Sequence, residues 1–246
     1  MGAVSYLNTK PLVYGFEQGM MKESVDLVID YPSKIASMLL KNEIDIGLVP
    51  VAVIPEMNEH HIISDYCIGA SAPVASVCLF SDVPVHQITH ILVDYQSRTS
   101  ASLLRILATY YWRISPIFID TKEGYLQSIR GTTAGLVIGD RALKQRLQSS
   151  YVYDLAQEWQ HMTGQSFLFA AWVSNKELPP DFIKRFNEAT RKGLDYVDQI
   201  VANNPFEEYD LHTYYRKNID FILDTGKQEA MKLFFHYLSK ERKGSG

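Results

Sequence analysis

Apolar positions fall into short runs separated by amphipathic stretches, and their alternation predicts an α/β fold. Residues 2–7 read as a strand, 11–17 as a helix and 25–30 as a second strand. Tyr31-Pro32-Ser33 then opens a helix through Leu40, with Ile35, Met38 and Leu39 on its buried face. Pro32 supplies the start signal and Asn42-Glu43 the stop. Residues 44–49 return as a strand. Its unbroken Ile46-Gly47-Leu48-Val49 is the pattern of a strand buried on both faces, as parallel pairing between helices requires.

A helix is expected at 51–57, strands at 62–68 and 76–80, and a lobe boundary at Ser81-Asp82-Val83-Pro84. A second alternation follows. It has a strand at 91–93, a helix at 99–111 with Leu103, Leu104 and Leu107 on one face, and strands at 117–119 and 135–139. Residues 167–173 form the last strong strand. Pro179-Pro180-Asp181 then starts a helical C-terminal third with Phe182, Ile183, Phe186 and Leu194 as apolar positions. The expected division is one lobe from residues 1–84 and 174–246 and a second from residues 85–173.

In such a chain the loops after strands are where ligand groups meet. Ser5-Tyr6-Leu7-Asn8-Thr9, Ser97-Arg98-Thr99-Ser100 and Gly139-Asp140-Arg141 occupy that position, and Ser76 lies near the expected crossover between lobes. The first loop runs from a strand into a helix with Pro11 near its first position. Asn8 or Thr9 can cap that helix, and exposed amides there attract a carboxylate or phosphate. Ser97, Arg98, Thr99 and Ser100 offer hydroxyls and amides at a positive helix end, with Thr99 and Ser100 the favoured ligand groups. The competing reading is that Ser97 or Thr99 caps the helix and that Arg98 is solvated or pairs with Asp94. Asp140 is a natural cap for the helix carrying Ala142 and Leu143, or a side chain facing the cleft, and Arg141 could meet an anion. Tyr6 and Trp172 are ring-stacking candidates, although core packing suits Trp172 better.

The chain has 246 residues, 46% of them apolar, enough for a large core. No apolar stretch approaches the ~20 residues that span a bilayer, and the N-terminus shows no basic segment followed by an apolar signal core, so the expected compartment is the cytoplasm. Met1-Gly2 stands almost directly on a strand, which leaves open a leader removed upstream, and Lys243-Gly244-Ser245-Gly246 reads as a cloning remnant. A net charge of −4 gives no general attraction to nucleic acid or an anionic membrane, so the expected partner is a small molecule held by local groups. Cys67 and Cys78 read as buried structural thiols. His86 with His90 and the pair His60-His61 lack Cys or acidic companions at metal-ligand spacing, so no metal is expected. Phosphate-binding Gly-rich loops and the Gly-x-Ser-x-Gly elbow are absent. Tyr209, Tyr214 and Tyr215 read as helix packing at a surface or a subunit contact, which leaves a homodimer open.

The opening loop resembles the N-terminal signature of the chorismate dehydratases of the futalosine route to menaquinone. Four further blocks resemble that family in its order: Ala72-Pro73-Val74-Ala75-Ser76-Val77-Cys78-Leu79-Phe80-Ser81, Asp94-Tyr95-Gln96-Ser97-Arg98-Thr99-Ser100, Ile138-Gly139-Asp140-Arg141-Ala142-Leu143 and Tyr153-Asp154-Leu155-Ala156-Gln157-Glu158-Trp159. The sister enzyme that makes dihydroxynaphthoate is expected to open with a Ser-Pro-Cys-Pro-Asn-like loop, where this chain has Ser-Tyr-Leu-Asn. The resemblance implies a two-lobed α/β fold like the type II periplasmic binding proteins, with the ligand in the interlobe cleft. It also implies a lyase that dehydrates chorismate to 3-(1-carboxyvinyloxy)benzoate, driven by aromatisation, with no cofactor. By the same match Asn8 and Ser76 are the polar groups nearest the reacting carbons. Ser5, Tyr6, Thr9, Ser97, Arg98, Thr99, Ser100, Gly139 and Asp140 would bind substrate. The alternative on the same architecture is a solute-binding protein that closes on a small carboxylate without changing it.

Overall fold

A computed structural model describes residues 1–244; Ser245 and Gly246, in the terminal segment read as a cloning remnant, lie outside the described residues. The strands are β1 Gly2–Val4, β2 Val28–Asp30, β3 Ile46–Pro50, β4 His61–Ala70, β5 Val77–Ser81, β6 His90–Val93, β7 Ile117–Asp120, β8 Thr133–Ile138, β9 Tyr151–Asp154, β10 Phe167–Ser174 and β11 Asp220–Ile222. The helices are α1 Lys10–Glu17, α2 Pro32–Leu40, α3 Arg98–Ile106, α4 Asp140–Gln145, α5 Leu155–Thr163, α6 Pro180–Asp195, α7 Val197–Asn203, α8 Leu211–Thr213 and α9 Thr225–Gly244. Leu7–Thr9 and Val51–Glu56 are 3-10 turns. The helix expected at 99–111 is α3 continued by a π-helical turn, Leu107–Trp112.

Two mixed sheets organise these elements. The first has the order β11-β4-β10-β3-β1-β2 and the second β7-β6-β8-β5-β9. β1 pairs in parallel with β2 and β3, and β6 with β7 and β8, as the continuous apolar runs predict. The return strands depart from that rule: β10 is antiparallel to β3 and β4, and β5 to β8 and β9. Sheet membership also differs from the expected segments. β5 lies in the second sheet and β10 in the first, so the chain crosses between sheets in the loop after β4 and again after β9. Local patterning marks a buried strand but not which sheet accepts it, because both sheets bury a continuous apolar run equally well.

Local signals set the element ends. The Ser97 side chain accepts from the Ser100 amide and caps α3, and Asp154 accepts from the amides of Ala156 and Gln157 and caps α5. No side chain caps α1, so neither Asn8 nor Thr9 plays that part. Trp172 is fully buried on β10, its ring 5.1 Å from Phe186 on α6, and the core reading of this residue holds. Cys67 on β4 and Cys78 on β5 are both fully buried, with free thiols.

Helices α1 and α6 approach through glycine. A Cβ added at Gly193 would stand 1.9 Å from the Pro11 carbonyl oxygen, and one at Gly15 would stand 2.1 Å from that of Ala189. The contacting atoms are backbone and cannot rotate away, so the helices themselves must separate. Gly193→Ala is expected to lower stability by about 2–3 kcal/mol, read from the chemical denaturation midpoint, with Gly15→Ala acting in the same direction.

Candidate functional site

The loop after β1 and the corner between β8 and α4 meet face to face. Gly139 has φ 64°, and a Cβ there would lie 2.9 Å from the Tyr6 ring, so both conformation and space require glycine. Gly139, rather than Asp140, stands at the cap position of α4. Asp140 Oδ1 instead reaches across and accepts from the Leu7 amide at 3.0 Å. Burial raises the Asp140 carboxyl above its ordinary value, against the Leu7 amide and the nearby Lys144 and Lys10.

A polar chain continues from Tyr6. Its hydroxyl donates to Gln96 Oε1, which also accepts from Arg141 Nη2 at 2.8 Å. Arg141 pairs with Asp94 at 2.8 Å, and the Tyr125 hydroxyl donates to the same carboxylate at 2.7 Å. Burial opposes the Arg141 charge, but Asp94, Tyr125 and Tyr6 hold its pKa above the usual value. Arg98 therefore does not take Asp94, the pairing that stood as one alternative for it. Arg98 reaches Glu56 at 2.7 Å, while Asp94, buried on the second lobe, is satisfied by Arg141. Thr99 Oγ1 also faces the first lobe, accepting from the Ala52 amide at 3.1 Å.

Between these contacts lies a cavity of about 50 Å³ lined from both lobes. Its polar lining is Tyr6, Asn8, Ser76, Ser97 and Ser100, with Gly139 at the edge. Its apolar lining includes Pro32, Pro50, Ile68, Val74, Ile138 and Phe169. Ser97 Oγ donates to Ser100 Oγ at 2.9 Å at the N-terminus of α3, where amide dipoles favour negative charge. Asn8 Oδ1 has a weak contact with Thr9 Oγ1, at 3.3 Å. Ser76 Oγ is fully buried and has no hydrogen-bond partner among the described residues, which is unusual for a buried hydroxyl.

The backbone around Ser76 is held in a special conformation. Ala75 has φ 64°, rare for a residue with a Cβ. Asp154 stabilises it by accepting from the amides of Val74 at 3.1 Å and Ala75 at 2.7 Å, and Arg146 donates to the Ala75 carbonyl at 3.3 Å. Ser76 in turn accepts at its carbonyl from the Gly139 amide at 2.8 Å.

Of the sequence candidates, Tyr6, Asn8, Ser76, Ser97, Ser100 and Gly139 line the cavity, whereas Ser5, Thr9, Arg98, Thr99 and Asp140 do not. Ser5 is exposed, with its amide donating to the Asp30 carbonyl. The sequence reading missed Gln96, whose Asx-type loop resembled an ordinary turn, and the apolar wall from Pro32, Ile68 and Phe169, which no local motif marks. It also placed the C-terminal tyrosines at the surface, yet Tyr214 and Tyr215 are buried, and the Tyr215 hydroxyl donates to the Leu7 carbonyl at 3.0 Å. Among the described residues no group of three or more His, Cys, Asp or Glu could hold a metal ion, and no helix is long and apolar enough to cross a membrane.

The architecture is that of the periplasmic-binding-protein-like α/β folds. A protein of Archaeoglobus fulgidus superposes with a TM-score of 0.73 at 12% identity, covering 100% of this chain and 97% of that one. A Candida albicans protein described as having the generic periplasmic binding protein fold gives 0.58 at 16% identity, covering 97% and 92%. The alkanesulfonate-binding protein SsuA of Xanthomonas axonopodis pv. citri, bound to MOPS, gives 0.57 at 13% identity, covering 96% and 91%. In sequence the chain is 24% identical over 221 residues to the chorismate dehydratase of Thermus thermophilus, covering 82% of this chain and 79% of that one. The family described as menaquinone biosynthesis matches residues 1–240, and this chain belongs to it.

Proposed function

We propose that this protein is a cytoplasmic lyase that dehydrates chorismate to 3-(1-carboxyvinyloxy)benzoate, the first committed step of futalosine-dependent menaquinone synthesis. The observation that carries the reading is the unpartnered Ser76 hydroxyl, buried with Asn8 in a cavity with a largely apolar wall. Apolar walls of this kind suit the faces of a carbocycle. Ser97, Ser100 and the N-terminus of α3 suit one carboxylate, and the amides of the loop after β1 suit the second. Arg98, Thr99 and Asp140 then act from outside the cavity by holding the lobes together, and Ser5 and Thr9 by shaping the loop that carries Asn8.

The elimination breaks a ring C–H bond and the C–O bond of the ring hydroxyl, forms a ring double bond and releases water. No carboxylate or imidazole lines the cavity, and the Tyr6 phenol is pushed well above its ordinary pKa by burial and then by Asp94. A carboxylate of the substrate is the remaining proton acceptor, with Ser76 and Asn8 directing the departing hydroxyl and the developing charge. The apolar wall excludes water from reactive species.

The competing reading, a solute-binding protein, draws on the anion-binding SsuA relatives of the same fold. Purified protein with chorismate, without added metal or cofactor, separates the two. The lyase yields a product lighter by one water with loss of diene absorbance, whereas a binding protein gains thermal stability with chorismate and forms no product. Asn8→Ala and Ser76→Ala are each expected to keep the fold and to lower turnover by about tenfold or more, measured in the same assay. Ser97→Ala combined with Ser100→Ala is expected to act mainly on KM, since these hydroxyls meet a group that does not react.

A further inference from the structure

Tyr214 and Tyr215 occupy a π-helical turn, Tyr214–Asn218, that is pinned to the two loops carrying Asn8 and Ser76. On one side the Tyr215 hydroxyl donates to the carbonyl of Leu7, next to Asn8, at 3.0 Å. On the other, Asn218 Nδ2 donates to the carbonyl of Pro73 at 2.8 Å, three residues before Ser76, and the Tyr209 hydroxyl fixes the Asn218 amide at 3.0 Å. Between these anchors Tyr214 is fully buried, its ring packed edge-on against Tyr209 at 6.2 Å and tilted against Tyr215 at 5.6 Å. Its hydroxyl, like that of Ser76, has no hydrogen-bond partner among the described residues. π-Helical turns cost regular hydrogen bonding and recur at functional sites.

We propose that Tyr214 is a positioning residue of this site, its hydroxyl setting the direction of the Ser76 hydroxyl toward a bound substrate. The inference rests on the lyase reading. Ser76 has one proton to donate and a free rotor. Neither hydroxyl is partnered as the structure stands, and a phenol that turns to donate to Ser76 Oγ when substrate binds leaves that proton only the cavity to address, and polarises it in doing so. Tyr214 does not itself line the cavity, so it acts through its neighbours. The electrostatics agree: burial pushes the Tyr214 phenol well above its ordinary value, and Ser76 and Asn8 work against that push.

Tyr214→Phe tests this, because it keeps the ring and removes only the hydroxyl. Deleting a buried hydroxyl without a partner is expected to leave Tm unchanged or raise it. Turnover of chorismate should nevertheless fall about tenfold in kcat, with KM within about threefold of the parent. On a Ser76→Ala background the same change should add nothing further, since the two hydroxyls act as a unit. A variant that keeps the parent kcat, or whose effect adds to that of Ser76→Ala, overturns the proposal and leaves the lyase reading intact. A parent protein inert toward chorismate overturns the lyase reading and this inference with it.

Discussion

The buried carboxylate of Asp154 joins two separate stretches of chain at the point where the fold changes sheets. It accepts from Val74 and Ala75 in the first crossing and from Ala156 and Gln157 at the start of the second. Burial raises its pKa, with the amides of Ala75, Val74 and Gln157 and the Arg146 charge opposing. The left-handed conformation of Ala75 costs roughly 1–2 kcal/mol and persists because these contacts over-determine it. From Ala75 the constraint passes to Ser76, whose carbonyl holds Gly139, and Gly139 abuts Tyr6. The position of the cavity's unpartnered hydroxyl is thus a consequence of how the two lobes are tied.

Charge is arranged so that the cavity stays neutral while its surroundings are charged and satisfied. Asp94, Arg141, Tyr125 and Gln96 consume one another's hydrogen bonds behind the Tyr6 ring. Among the described residues no guanidinium or carboxylate therefore lines the cavity, and its polar lining consists of hydroxyls, the Asn8 amide and backbone dipoles, whose interactions are strongest where water is excluded. Lys227, buried on α9, follows the same rule, with Asp220 and Asp224 as partners at 2.6 and 2.7 Å.

Much of this was legible in the sequence where the cause is local. Pro32 begins α2, Ser97 caps α3, and apolar runs mark β3 and β10, because start signals and burial patterns act over a few residues. The polar loops after β1, before α3 and before α4 were found for the same reason. What escaped is set by distant partners. Whether β5 joins the first sheet or the second depends on β8 and β9, more than fifty residues away in the chain. Asp140 reads as a cap because its neighbours form a helix, and only the approach of Leu7 draws the side chain elsewhere. Tyr214 and Tyr215 read as surface residues because their turn is short, polar at Arg216 and Lys217, and becomes interior only by docking on residues 7 and 73.

Among the described residues, the contacts that bridge the two lobes include four beside the cavity: Tyr6 to Gln96, Leu7 to Asp140, Ala52 to Thr99 and Glu56 to Arg98. They form between protein groups alone, so the juxtaposed arrangement does not depend on a ligand to supply its bonds. Any molecule that leaves the cavity by lobe separation must wait for all four to break together while the two chain crossings flex. Three of them are shielded or neutral and only the Glu56–Arg98 pair is open to screening by salt. Opening of the cleft is thus governed by contacts within the protein itself, most of which ionic strength hardly touches.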